Sequence, residues 1–326
     1  MPTRSKFIVS LLAAAAALLV SGGAAAQAFP SKPVRIVVPQ TPGGASDALA
    51  RIVGQKLSER WGQPVVVENK PGAGGNVGTE YVAKSPADGY TLLMSYVGTQ
   101  AINGSLYKSL PYDPYKDFAT VGTLATVPFA LVVNQGFAPK TVQELVAYAK
   151  GNAGPANFGS AGNGSLNHLL GEMFNMSQGT RLVHVPYKGA AGALTDTIGG
   201  QIQMTFTSLP SVAGHIRGDK LRALAVTGAR RSAAFPNVPT FGESGLAGFE
   251  ISPWFGLLAP AGTPAAVVRK INADIAEALR DKELQEKFAA AGADPYTTTP
   301  EQFARVLQDD IQKWSQVVKA SGAKID

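Results

Sequence analysis

Between residues 34 and 84 the chain repeats one rhythm twice: a short apolar run, a stretch rich in glycine and proline, then apolar residues at helical spacing. Val34-Arg35-Ile36-Val37-Val38 predicts a strand and "PQTPGGASD" a turn. A helix is predicted from Ala48 to about Trp61, with Leu49, Ile52, Val53 and Leu57 near helical spacing. Val65 to Glu68, "NKPGAGGNVG" and the run from Thr79 to Lys84 repeat the unit. Tyr90 to Ser95 predicts a third strand, opening into "YVGTQAIN". Farther on, "NFGSAGNGS" precedes a helical run from Leu166 to Met176, and "VHVPYKGAAG" precedes another from Ala193 to Ile198.

Strands alternating with helices predict an α/β fold with parallel sheets covered on both faces. "FALVVN" (129–134) and "ISPWFGLLAP" (251–260) read as crossings between two lobes, with hinges near Leu131 to Asn134 and Ser252 to Phe255. Two helices close the chain and are expected to pack back on the first lobe. One opens at Thr263-Pro264, read as a threonine cap followed by proline at the first helical position. The other opens at Thr299-Pro300, with Gln302 at the capping-box position.

The amino terminus narrows the compartment. Arg4 and Lys6 precede an apolar run from Phe7 to Val20, and small residues end in Ala26-Gln27-Ala28. That is the plan of a secretory signal peptide, residues 1–28, with cleavage expected between Ala28 and Phe29. The apolar run falls short of the ~20 residues that span a bilayer, so an exported, soluble periplasmic protein is expected. No cysteine occurs, which excludes a lipidated cysteine, a disulfide framework and a thiolate metal site. Losing Arg4 and Lys6 with the leader takes the formal charge from +6 to about +4. The remaining basic residues are scattered, which argues against a nucleic-acid partner.

Glycine-rich turns between strands and helices carry the candidate chemistry. The first N–H groups of a helix lack partners inside it, the helix dipole is positive there, and glycine lets another molecule approach. Such a turn can hold an anion, and four of them in one α/β chain favour a binding site. "GAGGNVG" does not fit G-x-G-x-x-G, and neither a P-loop nor a G-x-S-x-G elbow occurs, so a nucleotide site has no support. Ser165 and His168 lie three apart at a helix start and leave an exported hydrolase as a competing class, although Ser165 as cap and His168 as cleft wall is favoured. His168, His184 and His215 have no metal-ligand spacing.

"VVPQTPGGASDALAR", "VVVENKPGAGGNVGTEYVAKSPADGYTLL", "LPYDPYKDF", "FGSAGNGSLNHLLGE", "VPYKGAAGAL" and "PWFGLLAPAGTP", in order, resemble the Bug/TctC family of extracytoplasmic solute receptors of tripartite tricarboxylate transporters. The resemblance implies a type II periplasmic binding protein fold, with two α/β lobes and a ligand cleft between them. It sets lobe 1 at 29–130 and 251–326 and lobe 2 at 131–250. It implies a monomer without cofactor that captures a small organic carboxylate and passes it to a permease of one large and one small integral membrane subunit. A ligand-sensing protein feeding a signalling partner is the other reading.

Site residues follow from the same resemblance. Gly43, Gly44, Ala45 and Ser46 would offer donors from the first lobe, with Gln40 and Thr99 beside them. Ser160, Asn163, Gly164 and Ser165 would meet the ligand from the second, with His168, Tyr187, Gly189 and Thr207. Asp47 is read as a helix-start charge and Lys188 as a solvated lysine that could pair with the anion. Gln40 stands where family members often carry an aromatic residue, and Thr207 where many carry an acid. Without that acid an amino-acid ammonium would lack a counter-charge, so the ligand leans toward a di- or tricarboxylate or an aromatic acid.

Overall fold

The computed structural model describes residues 29–151, 156–246 and 248–325. The expected leader and its cleavage point lie outside them.

The apolar run Val34–Val38 forms β1, buried at every position except Arg35. It has no polar face because it sits inside a sheet covered on both sides. The helix after it, α1 (Ala45–Trp61), begins three residues before the predicted start, with Gly44 as its N-cap. Strand β2 (Val65–Asn69), a tight turn at Ala73–Gly75 and helix α2 (Asn76–Ala83) complete the second unit. Then come β3 (Thr91–Tyr96), a wide turn at Gly98–Ile102, the short helix α3 (Asn103–Leu106) and β4 (Phe118–Thr126).

From β5 (Phe129–Asn134) a second sheet begins. It continues through α4 (Val142–Lys150), β6 (Asn157–Ser160), α5 (Leu166–Gln178), β7 (Val183–Pro186), α6 (Ala190–Ile198), β8 (Met204–Ser208), α7 (Leu209–Arg217) and β9 (Leu221–Val226). The chain then returns as β10 (Trp254–Pro260), followed by α8 (Ala265–Ala278), α9 (Lys282–Ala291), β11 (Asp294–Pro295) and α10 (Pro300–Ser321). The first sheet has the order β11-β4-β10-β3-β1-β2 and the second β7-β6-β8-β5-β9.

The sheets are mixed rather than wholly parallel. β1 runs parallel to β2 and β3, and β6 to β7 and β8, but β10 and β5 run against both of their neighbours. Each of these two central strands has just arrived from the other sheet with no crossover helix to turn it round. "FALVVN" is therefore a strand and not a crossing: Leu131 to Val133 pair on both sides. Phe255 likewise already pairs with Tyr96 and Ala125.

The segments that join the sheets are stitched to one another. Val127 N donates to Pro253 O at 2.9 Å, and buried Thr227 donates from its N–H to Phe129 O and accepts from Ile251 N. Its hydroxyl accepts from Phe129 N and donates to Ile251 O.

The closing helices pack on the first sheet's layer as expected. Arg60 of α1 pairs with buried Asp274 of α8 at 2.8 Å, and Lys56 with Asp281 at 2.7 Å. Thr299 and Gln302 form the reciprocal capping box. Thr263 is no cap: its hydroxyl donates to Pro260 O at 2.7 Å, closing the turn after β10, and α8 begins past Pro264. One apolar cluster runs through both lobes, from Leu93 and Leu106 to Phe158 and Leu166.

Candidate functional site

Between the two sheets, at the carboxyl ends of β1, β2, β3, β6, β7 and β8, lies a cavity of about 500 Å3. Open α/β sheets place ligands at such ends. The N-cap residues of five helices line it: Gly44 of α1, Gly75 of α2, Ser165 of α5, Gly189 of α6 and Ser208 of α7. Their positive dipole ends thus converge from both lobes on one space. The first amides of α1, α5 and α6 have no partner among the described residues, whereas Asn76 N–H of α2 donates to Ala73 O and Leu209 N–H of α7 to Pro128 O.

Side chains add uncharged donors. Among the described residues, the hydroxyls of Ser46, Thr41, Thr207, Tyr96 and Tyr107 and the Asn163 amide line the cavity with no hydrogen-bond partner of their own. Burial pushes the Tyr96 phenol up to about 12, so it stays protonated and able to donate. Tyr96 stacks on Phe255, ring centroids 5.4 Å apart. It folds back there because residue 98 is glycine: a Cβ at Gly98 would meet the Tyr96 ring at 2.4 Å. Lys188 is the one charged side chain in the wall, and no carboxylate lines it among the described residues.

Nine of the fourteen residues expected from the sequence line this cavity: Gln40, Gly44, Ala45, Ser46, Asn163, Ser165, Tyr187, Gly189 and Thr207. Tyr187 contributes its ring, because its hydroxyl donates to Asp196 Oδ2 at 2.6 Å. The other five stand behind the wall, and each has a local partner that explains it. Gly43 N–H donates to Asp47 Oδ2 at 3.1 Å and is not free for a ligand. Burial pushes the Asp47 carboxyl up, but Arg51, the Gly43 N–H and Asn69 outweigh it and hold the group below its ordinary value. Asp47 therefore carries its charge in the first turn of α1, turned onto Arg51 at 2.9 Å.

Thr99 is fully buried and accepts from Gln40 Nε2 at 2.8 Å. Ser160 is also fully buried: its Oγ accepts from Gly162 N at 3.0 Å and lies 2.6 Å from His184 Nε2. Gly164 N–H donates to His168 Nδ1 at 3.0 Å. At φ +70° Gly164 sits in the left-handed region, and a Cβ there would meet Leu106 of the first lobe at 2.4 Å.

The Ser165–His168 pair does not make a nucleophile and its base. Ser165 Oγ donates to Gly162 O at 2.7 Å and accepts from His168 backbone N at 3.4 Å, as a helix cap does. The imidazole Nδ1 is occupied by Gly164 N–H, and its Nε2 faces Glu172 Oε1 at 3.6 Å.

Several wall residues escaped the sequence reading. Ser208 carried a signal, since Ser-Leu-Pro is a helix start, but it ends "QMTFTS" with no glycine to mark it. Asn167, buried in the first turn of α5, donates to Phe206 O at 2.7 Å and lines the cavity. Ile325 arrives through a bridge with Tyr107 that no local pattern foretells.

Comparison with known proteins agrees with this geometry. Residues 49–323 match the family model described as "Tripartite tricarboxylate transporter family receptor". The chain is 41% identical to Protein BugT of Bordetella pertussis, over 92% of this chain and 93% of that one. Among solved structures, R. palustris Rpa4515 with adipate is 36% identical, with a TM-score of 0.87 over 91% of this chain and 99% of that one. MatC from Rhodopseudomonas palustris with bound malate is 32% identical, with a TM-score of 0.82 over 89% and 100%. The chain belongs to the TctC family of tripartite tricarboxylate transporter receptors, the Bug-type periplasmic solute-binding proteins, and is a receptor rather than an enzyme.

Proposed function

We propose that this protein captures a small organic carboxylate between its two lobes and delivers it, as a monomer, to a permease of one large and one small integral membrane subunit. The observation that carries the reading is the convergence of five helix N-termini on one cavity whose wall, among the described residues, holds no carboxylate. Neutral donors already held in place stabilise an anion without the desolvation cost of a buried counter-ion. Tyr96, Phe129 and Phe255 offer apolar surface to the carbon skeleton.

A ligand with carboxylates at both ends would reach donors on both lobes at once, and relatives solved with adipate and malate carry such acids. Thr207, fully enclosed in the wall, offers a hydroxyl where an ammonium would need a carboxylate. We therefore assign di- and tricarboxylates or aromatic acids over amino acids. A thermal-shift screen tests this: a cognate acid at 100 times its Kd adds about 2.7 kcal/mol of stability. Malate, adipate, citrate and benzoate should include a stabilising ligand, and the matching amides and amino acids should not. Stabilisation by neutral amides as strong as by acids would overturn the assignment.

A further inference from the structure

Behind the second-lobe wall, His168 of α5 and His184 of β7 lie face to face, with ring centroids 3.8 Å apart and planes 16° from parallel. Phe158 of β6 lies against both rings, at 6.4 and 5.1 Å. Neither histidine lines the cavity, yet each touches the loop that does. His168 Nδ1 accepts from Gly164 N–H at 3.0 Å, and His184 Nε2 lies 2.6 Å from Ser160 Oγ. Ser160 and Ser165 both donate to Gly162 O, at 3.0 and 2.7 Å, and Gly162 N–H returns to Ser160 Oγ. The whole 160–165 loop is thus fastened at two points to one imidazole stack.

A backbone N–H can only donate, so the Gly164 bond requires a lone pair on His168 Nδ1 and puts the ring's proton on Nε2, toward Glu172. Protonating Nδ1 would set two N–H groups against each other. We propose that His168 is a positioning residue: its neutral ring, packed face to face with His184, holds the Gly162–Ser165 segment in the shape that presents the α5 N-terminus to the ligand. Ligand grip on this side of the cleft therefore weakens in acid. Among the described residues, the charged group that faces the stack is Glu172, on α5 itself, while β6 contributes Phe158 and Ser160 and no charge. Burial lowers the affinity of both rings for a proton, and in His184 the neighbouring His168 adds to it.

The ligand part of this inference rests on the carboxylate reading, so the test has a ligand-free arm. In the unliganded protein near pH 7, nitrogen-15 spectra should show His168 as the Nε2–H tautomer and a slowly exchanging Gly164 amide. H168L, which removes the acceptor, should speed Gly164 exchange by about tenfold or more, as the loss of about 1.4 kcal/mol of protection requires. H168N places an untitratable acceptor atom where Nδ1 stood and should restore slow exchange. It should also keep the Gly164 amide protected as the pH falls through the range in which the wild-type ring takes up its proton and loses the bond, below the ordinary imidazole value. An Nδ1–H tautomer, or Gly164 exchange unchanged in H168L, would overturn the positioning role. In the second arm, malate or adipate affinity is measured by calorimetry between pH 5 and 8. The wild type should lose affinity in acid and H168N should hold it, whereas parallel profiles would overturn the link to binding. If none of malate, adipate, citrate and benzoate binds any variant while the spectra behave as stated, the carboxylate reading fails and the positioning role stands.

Discussion

The two walls of the cleft hold their donors in different ways. In the first lobe, Ser46 and Thr41 face the cavity with uncommitted hydroxyls, and the Gly44 turn is steadied from behind by Asp47, which binds Gly43 N–H and Arg51. In the second lobe, Ser160, Gly162, Gly164 and Ser165 are already bonded to one another or to a histidine, and the Asn163 amide is left free among the described residues. The first wall offers loose side-chain donors on a glycine turn, whereas the second sets the Asn163 amide and the Thr207 hydroxyl beside a prefastened loop. Preorganisation of one wall lowers the ordering cost of binding. The hydroxyls of the other can adjust to the acid that arrives.

That contrast predicts which substitutions act through stability and which through affinity. The largest effect is expected for Gly164→Val. It forces a β-branched residue into the left-handed region, at about 1–2 kcal/mol, and drives its side chain into Leu106 across the cleft. Affinity for malate or adipate should fall more than about a hundredfold, about 2.7 kcal/mol, with a lowered Tm, by calorimetry and thermal melting. Gly44→Val sharpens the comparison from the other side. A Cβ at Gly44 has no atom nearer than Thr41 O at 3.9 Å, so the fold should tolerate it with Tm nearly unchanged while the side chain intrudes on the cavity and affinity drops by tens of fold.

Ser46→Ala removes a free hydroxyl, and hydrogen bonds to charged groups contribute about 1.5–3 kcal/mol, so roughly a tenfold loss of affinity with unchanged Tm is expected. Ser165→Ala should do the reverse. Its hydroxyl already caps α5, so about 1 kcal/mol of stability is lost and affinity falls less than in Ser46→Ala. Equal affinity losses at the two serines would break the distinction between the walls.

The smallest effect is in the pH profile. His184 is depressed to about 4 from 6.5, by burial and then by His168, so the folded state binds fewer protons than the unfolded one within that window. Its contribution to stability is complete above pH 6.5 and is lost as pH falls toward about 4. Glu172 and Asp310, both raised by burial, act with the opposite sign. The difference between wild type and His184→Gln isolates the histidine: the variant's Tm should fall less between pH 6.5 and 4.5.

The strands and helices between residues 34 and 84 were legible because apolar runs and glycine turns are local signals, and α1 differs only at its start. The two central antiparallel strands were not, since direction within a sheet depends on where the preceding strand lay, and "FALVVN" reads alike in either direction. The walls were visible through their glycine-rich motifs. What stayed hidden was how far each polar group was already committed: Gly43 and Asp47 are four residues apart, but Ser160 and His184 are joined across two parallel strands. Sequence spacing set Ser165 beside His168 and favoured a cap and a cleft-wall residue over catalysis; the cap is there, but His168 stands behind the wall. Geometry gave the imidazole to Gly164 instead.

The central claim is that one anion is held by both walls at once, and amide chemical shifts followed through a single titration with malate or adipate test it most directly. The account expects the amides of Ala45 and Ser46 in the first lobe and of Leu166 and Ala190 in the second to move downfield together, with one common Kd. Downfield shifts confined to one lobe, or two sets with different midpoints, would contradict it.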